Sequence, residues 1–154
     1  MRVTTAFNRL LSLPGISVTD VSFDADTVTV DVALRRRRLH CPKCEFTTGA
    51  RYDTRPVFST WRHTDMGRWK VQVRAGLRRL AFPTHGARVE ALPFARRRSG
   101  FSRRFETRVA YLAANTHTAT IPLPPRVRRC LLGRIRRRAV AAGVLPARWL
   151  AGLA

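Results

Sequence analysis

The chain has 154 residues, 45% of them hydrophobic, a formal net charge of +21 and an isoelectric point near 11.9. That length suits one domain or two small ones, and the apolar fraction excludes a chain disordered by composition. Self-repulsion of so much positive charge disfavours a compact isolated protein, so a polyanionic partner is expected, nucleic acid first and an anionic membrane surface second.

Thr4 and Thr5 are predicted to cap a short helix with Phe7, Leu10 and Leu11 on one face, stopped by Pro14-Gly15 and laid over a sheet. The apolar run at Leu10-Leu11 is too short for a signal sequence or a membrane span, so a cytoplasmic location is expected. From Ile16 the period changes to two. Val18, Val21 and Phe23, then Val28, Val30 and Val32, alternate with polar residues about the turn Asp24-Ala25-Asp26, which predicts a β-hairpin with one buried face.

Arg35, Arg36, Arg37 and Arg38 lead straight into Cys41-Pro42-Lys43-Cys44. Four guanidinium groups beside such a turn suit either a solvated strand end or a grip on phosphates. A Cys-x-x-Cys knuckle followed by a second knuckle gives the tetrahedral sulfur and nitrogen set that zinc prefers. Phe82-Pro83-Thr84-His85 has the shape of that second knuckle, with Phe82 where the third thiolate would stand. Cys41, Cys44 and His85 are therefore the candidate metal ligands, and zinc bound by them is expected to be weak. Three cysteines, two of them in a knuckle, point to a reducing compartment, and Cys130 has no base evident beside it.

Phe46 to Pro56 reads as polar and turn-like, and two or three short strands are predicted around Val57 to Trp61, Trp69 to Val73 and Leu77 to Leu80. Strands flanking both knuckles have the geometry of a zinc ribbon. Trp61, His63 and Trp69 are expected to pack the small core, with His63 as a replacement ligand the alternative. Leu92 to Gly100, including Arg96, Arg97 and Arg98, is a linker by composition. Ser102 then caps a helix running to about Asn115 with Phe105, Val109, Leu112 and Ala113 at helical spacing. Prolines 122, 124 and 125 interrupt what begins as a second helix at Thr116 to Thr120. A longer helix is predicted from Arg126 to Ala142, with arginines including Arg128, Arg129, Arg136 and Arg137 suited to a DNA groove, an anionic membrane or solvent.

Lys43 and Lys70 are the only lysines. Arginine forks phosphates and guanine edges bidentately, although a GC-rich genome produces the same bias. The carboxylates show no convergence of the kind two-metal phosphoryl transfer needs, and there is neither a Gly-rich phosphate loop nor a Ser or Cys triad signature.

The ordered set Leu11 to Gly15, Cys41 to Cys44, Trp61 to Asp65, Arg78-Arg79-Leu80 before Pro83 to Gly86, and Val89 to Arg96 resembles the N-terminal region of the ISL-three family of bacterial insertion-sequence transposases. Members of that family join a zinc-ribbon-like finger to a helix-turn-helix and then a DDE catalytic domain. The resemblance covers roughly residues 8 to 120 and implies recognition of terminal inverted repeats. Two departures stand out: Phe82 replaces a cysteine, and the proline run replaces the turn into the recognition helix. The family's catalytic carboxylates would follow Gly143, where this chain has only a short tail.

The fold expected is α+β: a small zinc-ribbon-like β domain with a short N-terminal helix over residues 1–95, a basic linker over 96–101, a degenerate helix-turn-helix segment over 102–145 and a tail over 146–154. The function expected is that of a transposase-derived DNA-binding fragment without chemistry of its own. DNA is the partner, with a full-length transposase as a second one and neither membrane nor small-molecule substrate. The alternatives are a regulator that competes with or pairs to an intact transposase, and the product of a decayed reading frame. A zinc hydrolase lacks a general base or a pocket in the sequence.

Overall fold

A computed structural model describes residues 2–82, 84, 86–115, 133 and 137. The described chain is α+β, with a short N-terminal helix, nine strands and one further helix. It divides into a unit through Arg103 and a second from Arg104 onward. His85, Cys130, the proline run and nearly all of the predicted helix from Arg126, including Arg128, Arg129 and Arg136, lie outside the described residues. Gly133 and Arg137 are each helical, and Arg137 is exposed.

Helix α1 spans Val3–Leu11. Its N-cap is Arg2, with no side-chain hydrogen bond, so Thr4 and Thr5 lie inside the helix and do not cap it. Ser12 ends it in the left-handed region, two residues before Pro14. Leu11 is wholly buried and Phe7 packs against the core, but Leu10 is exposed, because a single short helix buries only a narrow stripe.

The main sheet has the order β1-β2-β7-β6, with β1 Ile16–Asp24, β2 Thr27–Leu34, β6 Ser59–Arg62 and β7 Lys70–Ala75. β1 and β2 form the predicted antiparallel hairpin, and its register slips between Val18 and Asp20. That bulge explains why the apolar positions jump by three from Val18 to Val21: the extra residue restores the buried face. Asn8 Oδ1 accepts the Val18 N–H at 3.0 Å and so ties α1 to the strand. Phe23 at the hairpin tip is exposed, meeting Phe7 of α1 and Trp69 edge to face.

β2 pairs with β7 in parallel, bringing Val28 opposite Val71, Val30 opposite Val73 and Val32 opposite Ala75, all buried. Parallel partners need a long crossover. Here it carries β3 Leu39–His40, β4 Thr47–Thr48, β5 Asp53–Thr54 and β6. The stretch from Phe46 to Pro56 therefore contains two short strands and is not simply turn. On the other face of the sheet Arg74 Nε and Nη2 each donate to Asp31 at 2.6 Å, and Asp26 pairs with Lys70.

Trp61 and Phe94 close the core edge to face, with centroids 5.2 Å apart. Phe94 and Ala95 are buried. Leu92 to Ala95 is thus part of the core and not linker, since a tryptophan on the edge strand needs a ring to cover it. Phe101 bridges Arg62 in parallel and Ser102 pairs with Ala95. Gly15 adopts a positive φ of 68°, and a Cβ there would stand 3.0 Å from the Pro93 ring, so only glycine fits that turn.

Helix α2 spans Arg103–Asn115, with Phe105, Glu106 and Val109 buried. Ser102 immediately precedes it. The Ser102 hydroxyl shares a 2.6 Å hydrogen bond with His63 Nδ1, both residues being buried. His63 also donates its backbone N–H to Val71 O at 2.8 Å, as expected of a core histidine.

Candidate nucleic-acid interface

The Cys41–Cys44 turn and the turn that begins at Phe82 each lie between paired antiparallel strands. The first joins β3 to β4, which pair antiparallel through Leu39–Thr48 and His40–Thr47, and it is closed by the Cys41 N–H donating to Phe46 O at 2.9 Å. The second lies between β8 Arg78–Leu80 and β9 Arg88–Val89, also antiparallel, and is closed by Gly86 N–H donating to Phe82 O at 2.7 Å.

The two tips meet. Phe46 and Phe82 stack with centroids 4.2 Å apart and planes 23° apart, and Ala91 N–H donates to His40 O at 2.9 Å. Cys41 is buried and Cys44 exposed, and the Cys44 side chain hydrogen-bonds to Cys41. Burial pushes the Cys41 thiol up, but hydrogen bonds from the Lys43 and Cys44 backbone and the Cys44 side chain, with the Lys43 charge, bring it below an ordinary thiol. Two facing sulfurs beside a second turn are half of a tetrahedral zinc set. Phe82 supplies a stacking surface and no donor. Among the described residues no three His, Cys, Asp or Glu side chains gather as a metal would require, and His85 lies outside those residues.

β5, β8 and β9 form a second sheet with β8 in the centre. Its two arginines point to carboxylates on either side. Arg78 Nε and Nη2 each donate to Glu90 at 2.6 Å, with the Glu90 side chain only 3% exposed. Arg79 forks Asp53, and that hydrogen bond, with the attraction of the arginine charge, holds the Asp53 carboxyl below its usual range. Arg78 also donates to the Arg36 carbonyl at 3.0 Å.

Between this sheet and the edge of β6 runs a cleft of about 770 Å³. Arg55, Arg79 and Arg88 line it from the second sheet and the segment beside it, and Arg96, Arg97, Arg98 and Arg103 from the chain that follows. Ser59, Thr60 and Trp61 form the β6 wall, and Pro42 brings the cysteine turn to the rim. Of the lining carboxylates only Glu90 is present, and both of its oxygens are occupied by Arg78. A groove of this sign focuses anions.

The structure thus places Arg96, Arg97 and Arg98 in one cationic cleft. Arg35, Arg36, Arg37 and Arg38 are exposed but do not line it, and Arg35 turns back to Ser17. Arg55, Arg88 and Arg103 are lining residues that the sequence did not single out, because Arg55 and Arg88 stand alone in their segments and Arg103 falls in the first turn of a helix read for its apolar face. No helix among the described residues is long and apolar enough to cross a membrane.

No family model matches the chain, and no solved structure matches it. Two relatives from Mycobacterium tuberculosis, strains CDC 1551 and H37Rv, are both described as transposase for insertion sequence element IS1557. Each is 30% identical over 150 residues, covering 92% of this chain and 32% of the relative. The chain spans about a third of the length of these relatives.

Proposed function

We propose that this chain is the DNA-grasping part of a transposase-type protein and that the arginine-lined cleft takes the phosphate backbone. The observation that carries this reading is the convergence of seven arginines from separate segments on one groove of about 770 Å³. A net charge of +21 and similarity to a transposase over most of the chain support it. Arginine-phosphate contacts release counterions, so the affinity is largely insensitive to sequence and steep in salt.

In this reading Cys41, Cys44 and His85 would hold zinc, weakly because Phe82 stands in place of a thiolate.

Fluorescence anisotropy with element-end and scrambled duplexes, followed across salt concentration, tests the proposal. The logarithm of the affinity should fall linearly with the logarithm of salt at about −0.9 per phosphate engaged, equally for both sequences. Replacing Arg55, Arg88 and Arg97 by alanine should flatten that slope by roughly one for each phosphate no longer gripped. A flat salt response in the unaltered protein overturns the reading.

A further inference from the structure

The cleft has an aromatic shoulder that a phosphate groove alone does not call for. Tyr52 and Phe58 leave 61% and 55% of their surfaces exposed. Tyr52 is fixed by its N–H donating to Arg79 O at 2.8 Å, and the Arg79 guanidinium, which lines the cleft, lies 5.6 Å from the tyrosine ring centre. Phe58 directly precedes the lining residue Ser59, and the Arg74 guanidinium lies 5.3 Å from its ring centre.

Strand periodicity places Tyr52 and Thr54 on one side of their segment. Thr54 Cγ2 and Phe58 Cε1 come within 4.0 and 3.8 Å of the point a Cβ on Gly76 would occupy. Tyr52, Thr54 and Phe58 therefore share one surface. Shielding Gly76 uses one edge of Phe58, and neither ring belongs to the core.

The geometry points to unpaired DNA as the ligand of this surface: phosphates follow the arginines of the cleft while bases stack on Tyr52 and Phe58. The inference rests on the reading of the cleft as a DNA groove and narrows it. In a duplex each base hides its faces against its neighbours, so exposed rings at the rim meet a base face only where the strand is single or a base is extruded. Charge complementarity selects a polyanion over an apolar protein segment: Arg74 and Arg79 lie over the two rings but are each forked to a carboxylate, Asp31 and Asp53, so the selection rests on Arg55, Arg97 and Arg98 of the adjoining groove. Every base has a π face, so stacking of this kind discriminates strandedness and not sequence.

The test compares the full chain binding a thymidine oligonucleotide of about 20 nucleotides and a duplex of equal length at one salt concentration. Tyr52→Ala/Phe58→Ala should weaken single-strand binding by about 10-fold or more and leave duplex binding within roughly two-fold. Tyr52→Phe/Phe58→Tyr, which keeps both rings, should bind single strands as the parent does. Should circular dichroism show the alanine pair unfolded, Tyr52→Leu/Phe58→Leu keeps the apolar bulk and should show the same selective weakening. Single-strand binding unchanged in the ring-removing variant, or reduced equally on both substrates, overturns the stacking surface. Arg97→Ala/Arg98→Ala separates the two readings: weakening on both substrates leaves the groove standing when stacking fails, and no change on either substrate brings the groove down as well.

Discussion

The sheet β1-β2-β7-β6 closes on valines, whereas β5-β8-β9 closes on arginine-carboxylate pairs beside two stacked hairpin tips. In the first, Val28, Val30, Val71 and Val73 are almost entirely buried and face Leu11 and the Trp61–Phe94 pair, so area removed from water holds it. In the second, β9 is two residues long and β5 two, too short to bury a continuous stripe, although Leu39 and Leu80 are buried. The bidentate Arg78–Glu90 pair and the Phe46–Phe82 stack supply what the short strands lack. One region is a platform and the other is a clasp mounted on it. The clasp and the outer edge of the platform enclose the cationic cleft, so the less apolar region is where binding is expected.

Three changes, with Asp26→Asn as a surface control, should break or sharpen that contrast. Phe94→Ala removes the ring that covers Trp61 and should cost about 3–5 kcal/mol, measured by urea denaturation with tryptophan fluorescence as the probe. An effect of that size marks the platform as the stability-determining region, and a destabilisation under about 1 kcal/mol would mean the Trp61 side closes by other means. Phe82→Cys acts on the clasp. It should tighten zinc by more than about 100-fold in a chelator competition, because even outer-shell partners of a metal are worth 10–100-fold and this substitution restores a ligand. Unchanged zinc affinity would show that the two tips do not converge on a metal centre.

Glu90→Gln is the smallest of the three. It keeps the shape and one acceptor for Arg78 but removes the charge, so a destabilisation of about 1.5–3 kcal/mol is expected. With the Glu90 side chain 3% exposed, that effect should persist in high salt, whereas Asp26→Asn at the exposed Lys70 pair should have little effect at any ionic strength. Equal, salt-sensitive destabilisation at both positions would erase the distinction between a buried clasp and an exposed surface pair.

Much of the platform was legible in the chain. Alternating valines announced the first hairpin, and even its bulge is written in the three-residue step from Val18 to Val21. Both knuckles fall at hairpin tips, as turn residues between short extended runs imply. Leu92 to Ala95 misled, because a proline beside an arginine run has the composition of a connector while Phe94 alone carries the burial. The threonines at the start of α1 misled too, since capping depends on backbone geometry one or two residues away and not on composition. Arg55 and Arg88, each alone in its segment, and Arg103 beside Arg104 could not be told from any solvated arginine, whereas runs such as Arg35 to Arg38 drew attention without joining the cleft.

What the residues alone determined is the charge and the local pieces: a net charge of +21 disfavours a compact isolated chain by self-repulsion, and period-two apolar patterning marks the strands of the first hairpin. Tertiary structure decided which strands are neighbours. The parallel pairing of β2 with β7, across a crossover that contains β3 to β6, is specified by no local signal, because its reward is burial shared between segments about forty residues apart. That pairing sets β6 at the sheet edge opposite β8 and β9, and so turns scattered arginines into one groove.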